Sequence, residues 1–190
     1  DRDYFLLGES FSGPIAISIA ASPPPGLRGL ILCCSFASNP LPWLSPLRSL
    51  LGLFPVAVLP ASLLSYFLLG RFSSAALRSE LACAIAAVAP EVLRLRARAA
   101  IAVDVTGALP CILVPVHYLR ASEDRIVPES ASALISSLVP NTHIVDFVAP
   151  HFLLQVLPAA SAAAVASFMG FDTLDAKTLP LQASSLVGNL

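Results

Sequence analysis

Charged side chains are scarce in this sequence. Asp, Glu, Lys and Arg make up 12% of its 190 residues, against about 25% in an average soluble domain. The eleven basic and twelve acidic residues leave a net charge of −1. The chain therefore lacks the basic surface that binds a phosphate backbone, and no nucleic-acid partner is expected. Apolar residues make up 56% of the chain, which excludes disorder and, at this length, predicts one domain.

Metal-type cysteine spacing is also missing, and the sequence shows no pattern of a secretory signal. Cysteine occurs at four positions, of which two are adjacent in an apolar run: Cys33, Cys34, Cys83 and Cys111. Because none of the spacings is typical of a metal site, we expect buried reduced thiols, no metal and no organic cofactor. The chain runs from Asp1 into apolar residues without a basic region and a cleavage site, so a cytoplasmic location is expected.

A membrane anchor is the least favoured hypothesis. Residues 49–70 carry no charge over 22 positions, which is long enough to span a bilayer. Pro55 and Pro60 interrupt this stretch. Since proline is tolerated in spanning helices, the two prolines argue against a span without excluding one.

Strand and helix patterns lie at the two ends of the sequence and are separated by a proline-rich middle. An apolar run at 4–7, a helical pattern at 12–21 and a second apolar run at 27–34 predict a βαβ unit. Residues 35–106 contain six prolines and no evident strand. They predict a helical insertion, which is most regular at 73–98.

The α/β pattern returns after the insertion. We predict a strand at 111–119 broken by Pro115, a helix at 129–138, a strand at 143–148 and a final helix at 158–169. Strands joined through a helix run parallel, so the fold class is α/β with a mostly parallel sheet. The chain is expected to divide into four parts: a βαβ unit at 1–34, a helical cap insertion at 35–106, the rest of the α/β core at 107–170, and a tail at 171–190.

Ser10 is the strongest candidate for a nucleophile. It lies two residues beyond the apolar run that ends at Leu7-Gly8 and directly before a helix. A strand-to-helix turn this tight strains the backbone at its apex and projects the serine hydroxyl above the sheet. The amide of Phe11, at the N-terminus of the helix, is then placed to bind a developing oxyanion.

Asp124 and His151 are the candidate partners of this serine. A serine hydroxyl needs a base to take its proton, and a histidine base needs a carboxylate to fix its tautomer. Asp124 follows the strand predicted at 111–119, and His151 follows the strand predicted at 143–148. Because the ends of parallel strands face the same way, Ser10 can meet both side chains.

Other titratable residues are weaker candidates for the same roles. The rival acids are Glu123, which is nearest, then Asp104 and Asp146. The other two histidines, His117 inside a predicted strand and His143 at the start of one, are expected to be structural.

Three motifs, in this chain order, resemble the α/β-hydrolase superfamily, in particular small esterases similar to pimeloyl-carrier-protein methyl ester hydrolase. The motifs are GESFSG at 8–13, SEDRIVP at 122–128 and PHFLL at 150–154, and the resemblance covers about residues 1–169. It implies a partial α/β-hydrolase fold, a helical cap over the site, and a triad of Ser10, Asp124 and His151.

The sequence departs from the family pattern in two places. Ser12 occupies the position of the second glycine of the G-x-S-x-G elbow, with Gly13 one place later, so a side chain is expected to crowd the turn. Only nine residues precede Ser10, so the first four strands of the family fold are expected to be absent. With them would go the loop that supplies a second oxyanion donor, whose loss costs about 100- to 1,000-fold in turnover.

The favoured function is a serine hydrolase that cleaves a carboxyl ester or thioester with an apolar acyl group. Aromatic residues of the insertion are expected to line an acyl-binding tunnel: Trp43, Phe54, Tyr66 and Phe67. The alternative is an inactive, hydrolase-like chain that serves as an interaction or assembly module. In the resembled fold this run is the fifth strand and pairs with the third; without the third strand, the run at 4–7 would be an open sheet edge. We therefore expect a homo-oligomer or a partner that completes this edge.

Overall fold

The computed structural model describes residues 2–43 and 60–171, and a sheet of four parallel strands forms its centre. The strands follow one another across the sheet in chain order: β1 (Tyr4–Glu9), β2 (Leu27–Cys33), β3 (Val116–Ala121) and β4 (Thr142–Phe147). The α-helices are α1 (Ser12–Ala20), α2 (Ala61–Leu68), α3 (Ala75–Ala86), α4 (Pro90–Ala102), α5 (Glu129–Leu138), α6 (Leu153–Val156) and α7 (Pro158–Phe168). The predicted α/β class with a parallel sheet is confirmed.

The centre of the sheet is buried on both faces because β2 is apolar at almost every position. Leu30 and Leu32 belong to a core cluster that also includes residues of α1 and α5. Ile31 and Cys33, which point to the opposite face, belong to a second cluster with residues of α6 and α7. Each fully buried leucine or isoleucine stabilises the fold by about 1.5–3 kcal/mol. This two-sided core holds the strand ends that carry the candidate site.

The predicted strand at 111–119 is wrong in its first half. A 3₁₀ helix, Thr106–Cys111, occupies the start of this region, and β3 begins only at Val116. Pro110 and Pro115 lack an amide hydrogen and cannot donate to a strand neighbour. The strand then continues to Ala121, two residues beyond its predicted end.

The middle of the chain contributes helices α2, α3 and α4 and a short 3₁₀ helix, Gly70–Phe72. Ser38 and Asp104, at the two ends of this region, are joined by an isolated antiparallel bridge. The division of the chain into core, cap and tail stays a prediction. In the described parts of the chain, no helix is long and apolar enough to cross a membrane.

The expectation of four buried thiols is wrong for two of them. Cys33 and Cys34 are buried at the end of β2, but Cys83 and Cys111 are exposed. Cys83 lies on α3, where Leu81 is the buried residue, and Cys111 ends the 3₁₀ helix before β3. All four cysteines are free thiols.

His117 is a buried imidazole on β3 with an incomplete set of hydrogen bonds. Its Nδ1 lies 3.3 Å from Nδ1 of His143 on β4, and its ring stacks on Phe168 of α7. Its Nε2 is buried and has no hydrogen-bond partner among the described residues. Burial lowers the pKa of His117, and the nearby His143 lowers it further. The folded protein therefore favours the neutral ring.

We predict that His117 makes the fold less stable in mild acid. The folded state keeps His117 neutral at a pH below its ordinary pKa of 6.5, whereas the unfolded chain is protonated there. Between the two pKa values the unfolded state binds more protons, so stability falls as the pH falls. Urea unfolding at a series of pH values should show a steeper loss for wild type than for His117→Phe, which keeps a stacked ring. Parallel pH profiles would contradict this.

Strand β1 forms one edge of the sheet. It pairs with β2 on one side, and no other described strand pairs with it. Tyr4 and Leu7 on this strand are exposed. An edge with free amides and carbonyls beside apolar side chains readily recruits another strand.

We predict that the 190-residue chain self-associates through β1. Sedimentation over a concentration series should show a dimer or larger species at micromolar concentration. Leu7→Lys should shift the chain toward monomer, because a charged residue on an edge strand blocks pairing. Arg28→Lys, a conservative change on the already paired β2, is the matched control. A monomeric wild type would refute the prediction.

Candidate active site

Ser10 occupies the turn between β1 and α1. Its φ of +49° places it in the left-handed region, which costs a non-glycine residue about 1–3 kcal/mol when held there. Two backbone hydrogen bonds hold this conformation: the Ser10 amide donates to the Cys33 carbonyl at 2.9 Å, and the Ser10 carbonyl accepts from the Gly13 amide at 3.0 Å. The strain and the strand-to-helix position agree with the predicted apex of a nucleophile elbow.

Two glycines permit close packing at this turn: Gly13 lets α1 approach Ser35 after β2, and Gly8 lets β1 approach α1. A Cβ atom on Gly13 would lie 1.5 Å from the Ser35 hydroxyl oxygen, which itself donates to the Ser10 carbonyl at 2.9 Å. A Cβ atom on Gly8 would lie 2.9 Å from both Ala16 Cβ and Gly13 Cα. Gly13 is therefore required for the packing of the turn.

Ser12 does not crowd the turn as expected. Its side chain is exposed and folds back on β1, where the hydroxyl accepts from the Glu9 amide and donates to the Glu9 carbonyl, both at 2.8 Å. The hydroxyl thus caps the end of the strand instead of pressing into the helix.

His151 links Ser10 to Asp124. Its Nε2 lies 2.8 Å from the Ser10 hydroxyl oxygen, and its Nδ1 lies 2.7 Å from Asp124 Oδ2. A carboxylate can only accept, so the Nδ1 of a neutral ring carries the proton and Nε2 accepts from the serine. The His151 and Asp124 side chains are 4% and 3% exposed. This geometry brings together the three residues that the sequence identified.

The loop after β3 fixes the Asp124 carboxylate. Its Oδ1 accepts from the amides of Ile126 at 2.8 Å and Val127 at 2.9 Å, while Oδ2 faces His151. The neighbouring Glu123 amide donates to the Ala149 carbonyl at 3.0 Å. The acid loop and the histidine loop are therefore joined by their backbones as well as by their side chains.

The three rival acids have other partners. Glu123 forms an ion pair with Arg71, which lowers the pKa of its carboxyl. Asp146 pairs with Arg120, which lowers its pKa in the same way. Asp104 accepts from the hydroxyl and the amide of Thr106. None of these contacts involves the His151 ring, and His117 and His143 pair with each other on β3 and β4.

The amide of Phe11 is available to a ligand. Phe11 is the N-cap residue of α1, and within residues 2–43 and 60–171 no acceptor is hydrogen-bonded to its amide. A helix N-terminus attracts negative charge. Phe11 therefore stands beside the serine in the position expected of an oxyanion donor.

Sequence reasoning missed a second carboxyl beside the histidine. Burial raises the pKa of Glu9, while a hydrogen bond from Gln155 and the proximity of His151 act in the opposite direction. Glu9 directly precedes Ser10, and Gln155 lies on α6 after the histidine loop. The adjacency of Glu9 to Ser10 was the available signal.

Cys34 was also missed as a neighbour of the site. Its Sγ, one oxygen of Asp124 and a ring nitrogen of His151 all lie within 4.8 Å of one another. The Cys33 thiol, 4.0 Å away, and burial raise the pKa of Cys34, so the thiol stays protonated. Among the described residues this is the one group with the ligand types of a metal site, but its nitrogen and oxygen atoms already take part in the hydrogen bonds above.

The predicted acyl-binding residues are only partly placed. Trp43 is 70% exposed and lines a cavity of about 490 Å³ next to the acid loop. Tyr66 and Phe67 are exposed neighbours on α2 whose rings meet edge to face, and Phe54 lies outside the described residues. Neither Ser10 nor His151 lines this cavity within the described chain. Residues lining an acyl pocket therefore stay a prediction.

Solved structures with the same architecture include proteins named as hydrolases, one of them as an α/β-hydrolase. A scan of the sequence against family models gives no match, and a search of curated proteins gives none either. A lipase-esterase related protein from Clostridium acetobutylicum is 20% identical with a TM-score of 0.70, covering 90% of this chain and 66% of its own. An α/β-hydrolase from a Medee basin deep-sea metagenome is 20% identical with a TM-score of 0.71, covering 91% and 67%.

The enol-lactonase from Burkholderia xenovorans is 17% identical with a TM-score of 0.66, covering 88% of this chain and 66% of its own. The chain thus spans about two thirds of the length of these structures. It has part of the α/β-hydrolase fold, as its sequence motifs predicted.

Proposed function

We propose that the chain is a serine hydrolase that cleaves a carboxyl ester or thioester with an apolar acyl group. The observation that carries the proposal is the unbroken hydrogen-bonded path from the Ser10 hydroxyl through the His151 ring to Asp124, with links of 2.8 and 2.7 Å. Its members come from three loops that follow three different strands. A strained serine at the turn before a helix is a further supporting feature.

The proposed reaction begins at the serine. Ser10 Oγ attacks the carbonyl carbon while its proton passes to His151 Nε2. The negative charge that develops on the carbonyl oxygen is held by the Phe11 amide and the N-terminus of α1. Asp124 accepts from His151 Nδ1 and stabilises the imidazolium.

The leaving group departs next, which completes the first displacement, and water then releases the acyl group in a second one. The protonated His151 gives its proton to the departing alkoxide or thiolate, which leaves an acyl ester on Ser10. His151 Nε2 takes a proton from water, the resulting hydroxide attacks the acyl carbon, and the proton returns to Ser10. The products are a carboxylic acid and an alcohol or thiol.

Burial supports these roles. Removing the His151 and Asp124 side chains from water strengthens the electrostatic interaction between them, whereas Ser10 is partly exposed and can be reached by a substrate. Two of the similar structures are named as a lipase-esterase related protein and an enol-lactonase, names that refer to ester bonds. These names support the choice of an ester as substrate.

We predict that a fluorophosphonate probe labels Ser10 and that Ser10→Ala abolishes the labelling. The probe reacts with a serine activated by a base, and Ser10 is the serine whose hydroxyl contacts His151. Mass spectrometry of the labelled peptide checks the position.

Ser12→Ala is the control for this experiment and should remain labelled, since the Ser12 hydroxyl contacts only the backbone of Glu9. An adduct on another serine would overturn the assignment of the nucleophile. A folded wild type that is never labelled would favour the alternative, an inactive hydrolase-like chain that acts as an assembly module through its open β1 edge.

We predict that His151→Ala and Asp124→Asn each reduce ester turnover by about 1,000-fold or more, as loss of a triad member does. Asp104→Asn and His143→Gln are matched controls that change the same residue types away from the site, and should stay near wild type. Turnover of an aryl ester, with circular dichroism to verify folding, provides the measurement. Equal losses in all four variants would mean that these residues affect stability and not the reaction.

A further inference from the structure

One short segment of the insertion contacts both loops that carry Asp124 and His151. Residues 66–71, here called the strap, include the end of α2 and the first part of the 3₁₀ helix Gly70–Phe72. Its contacts fall on the residues next to the two side chains, at Glu123, Arg125 and Phe152.

Arg71 holds the acid loop from one side. Its Nε lies 2.9 Å from each oxygen of the Glu123 carboxylate, and its Nη2 makes a further short contact with the same group. A guanidinium that meets a carboxylate through two nitrogens fixes orientation as well as distance. Glu123 is the residue before Asp124, and its amide donates to Ala149 in the histidine loop.

Arg125 holds the acid loop from the other side. Its Nη1 donates to the Tyr66 carbonyl at 2.8 Å, and its guanidinium lies 4.1 Å from the centre of the Tyr66 ring. Gly70, with a φ of +52°, passes next to this guanidinium: a Cβ atom there would lie 3.5 Å from Arg125 Nη1. Arg125 therefore contacts both the backbone and the side chain of Tyr66 in the strap.

The histidine loop is attached to the same segment. The amide of Phe152, the residue after His151, donates to the Leu68 carbonyl at 3.1 Å. Leu69, the next residue of the strap, is fully buried and anchors the segment. Each of the two loops is thus fastened to the strap directly beside its functional side chain.

We propose that Arg71 and Arg125 are positioning residues, which set the orientation of Asp124 toward His151 by docking the strap on the two loops. The inference rests on the proposed function and deepens it. Asp124 and His151 reach their relative orientation only when the strap is docked on both loops. Glu123 is then the acceptor through which Arg71 acts, and not an alternative acid.

The energetics separate positioning from overall stability. The Arg71 and Glu123 side chains are 64% and 34% exposed, and an ion pair this open to solvent contributes little to the stability of the fold. Turnover is far more sensitive, because misplacing a reacting group by about 1 Å can cost 100-fold. Loss of the pair should therefore reduce kcat without unfolding the protein.

The first experiment measures kcat and KM for Arg71→Ala and Glu123→Gln. We expect kcat to fall about tenfold, with a smaller change in KM and an unchanged midpoint of thermal unfolding. Arg71→Lys keeps the charge but loses the two-nitrogen contact, and should lie between wild type and Arg71→Ala. Exchanging the two groups, in R71E/E123R, should recover part of the lost kcat.

Arg94→Ala is the matched control. Arg94 forms an exposed ion pair with Glu91 within α4, in the same insertion but without contact to the acid loop, so its loss should leave kcat unchanged. Raising the salt concentration from about 0.05 M to about 0.5 M screens exposed charges. It should lower kcat of the wild type and have little further effect on Arg71→Ala.

A spectroscopic measurement separates failure of this inference from failure of the proposed function. The proton between His151 Nδ1 and Asp124 should give a low-field ¹H NMR resonance, assigned by its loss in His151→Gln. If the strap positions Asp124, this resonance shifts or broadens in Arg71→Ala and not in Arg94→Ala, whether or not the chain hydrolyses esters. An unchanged resonance in Arg71→Ala, or an active wild type whose kcat is the same in Arg71→Ala, would overturn the inference.

Discussion

The ring of His151 is hydrogen-bonded through both nitrogens, and the candidate site depends on this double contact. Ser10 lies 141 residues before His151 in the chain and Asp124 lies 27 before it, so no local segment could create the arrangement. The parallel sheet creates it, because β1, β3 and β4 run in the same direction and the loops that follow them meet at the carboxyl end of the sheet. The core on both faces of β2 supports this end of the sheet, since one buried face packs on α1 and α5 and the other on α6 and α7.

The three members of this path could be predicted from the sequence because each belongs to a short local pattern. Ser10 lies in a strand-to-helix turn, and Asp124 and His151 each follow an apolar strand. The helix predicted at 129–138 agrees with α5 in both bounds for a similar reason, since its signals lie within ten residues. The strand predicted from Cys111 was wrong at its start because two prolines remove amide donors, which favoured a 3₁₀ helix.

Contacts that join distant parts of the chain could not be predicted in the same way. Arg71 and Glu123 are 52 residues apart, and Arg125 meets the carbonyl of Tyr66 across 59 residues. An arginine and an acid at the protein surface have many possible partners, and nothing in the local pattern selects one. The same holds for Cys34, whose proximity to Asp124 and His151 depends on the pairing of β2 with β3. Glu123 is therefore a rival acid by its sequence position, although its carboxylate pairs with Arg71 of the strap.

The strained backbone of Ser10 is held in place by the pairing of β1 with β2. A left-handed serine is unfavourable by itself, so the surrounding structure must hold it there. The hydrogen bond from the Ser10 amide to the Cys33 carbonyl extends the β1–β2 ladder by one residue, and the contact of Gly13 with Ser35 closes the turn from the helix side. Both restraints connect the turn to β2 and the residues that follow it. Because β1 has no other partner among the described strands, the position of Ser10, the proposed nucleophile, depends on the pairing with β2, and a strand added to the outer edge of β1 would also affect it.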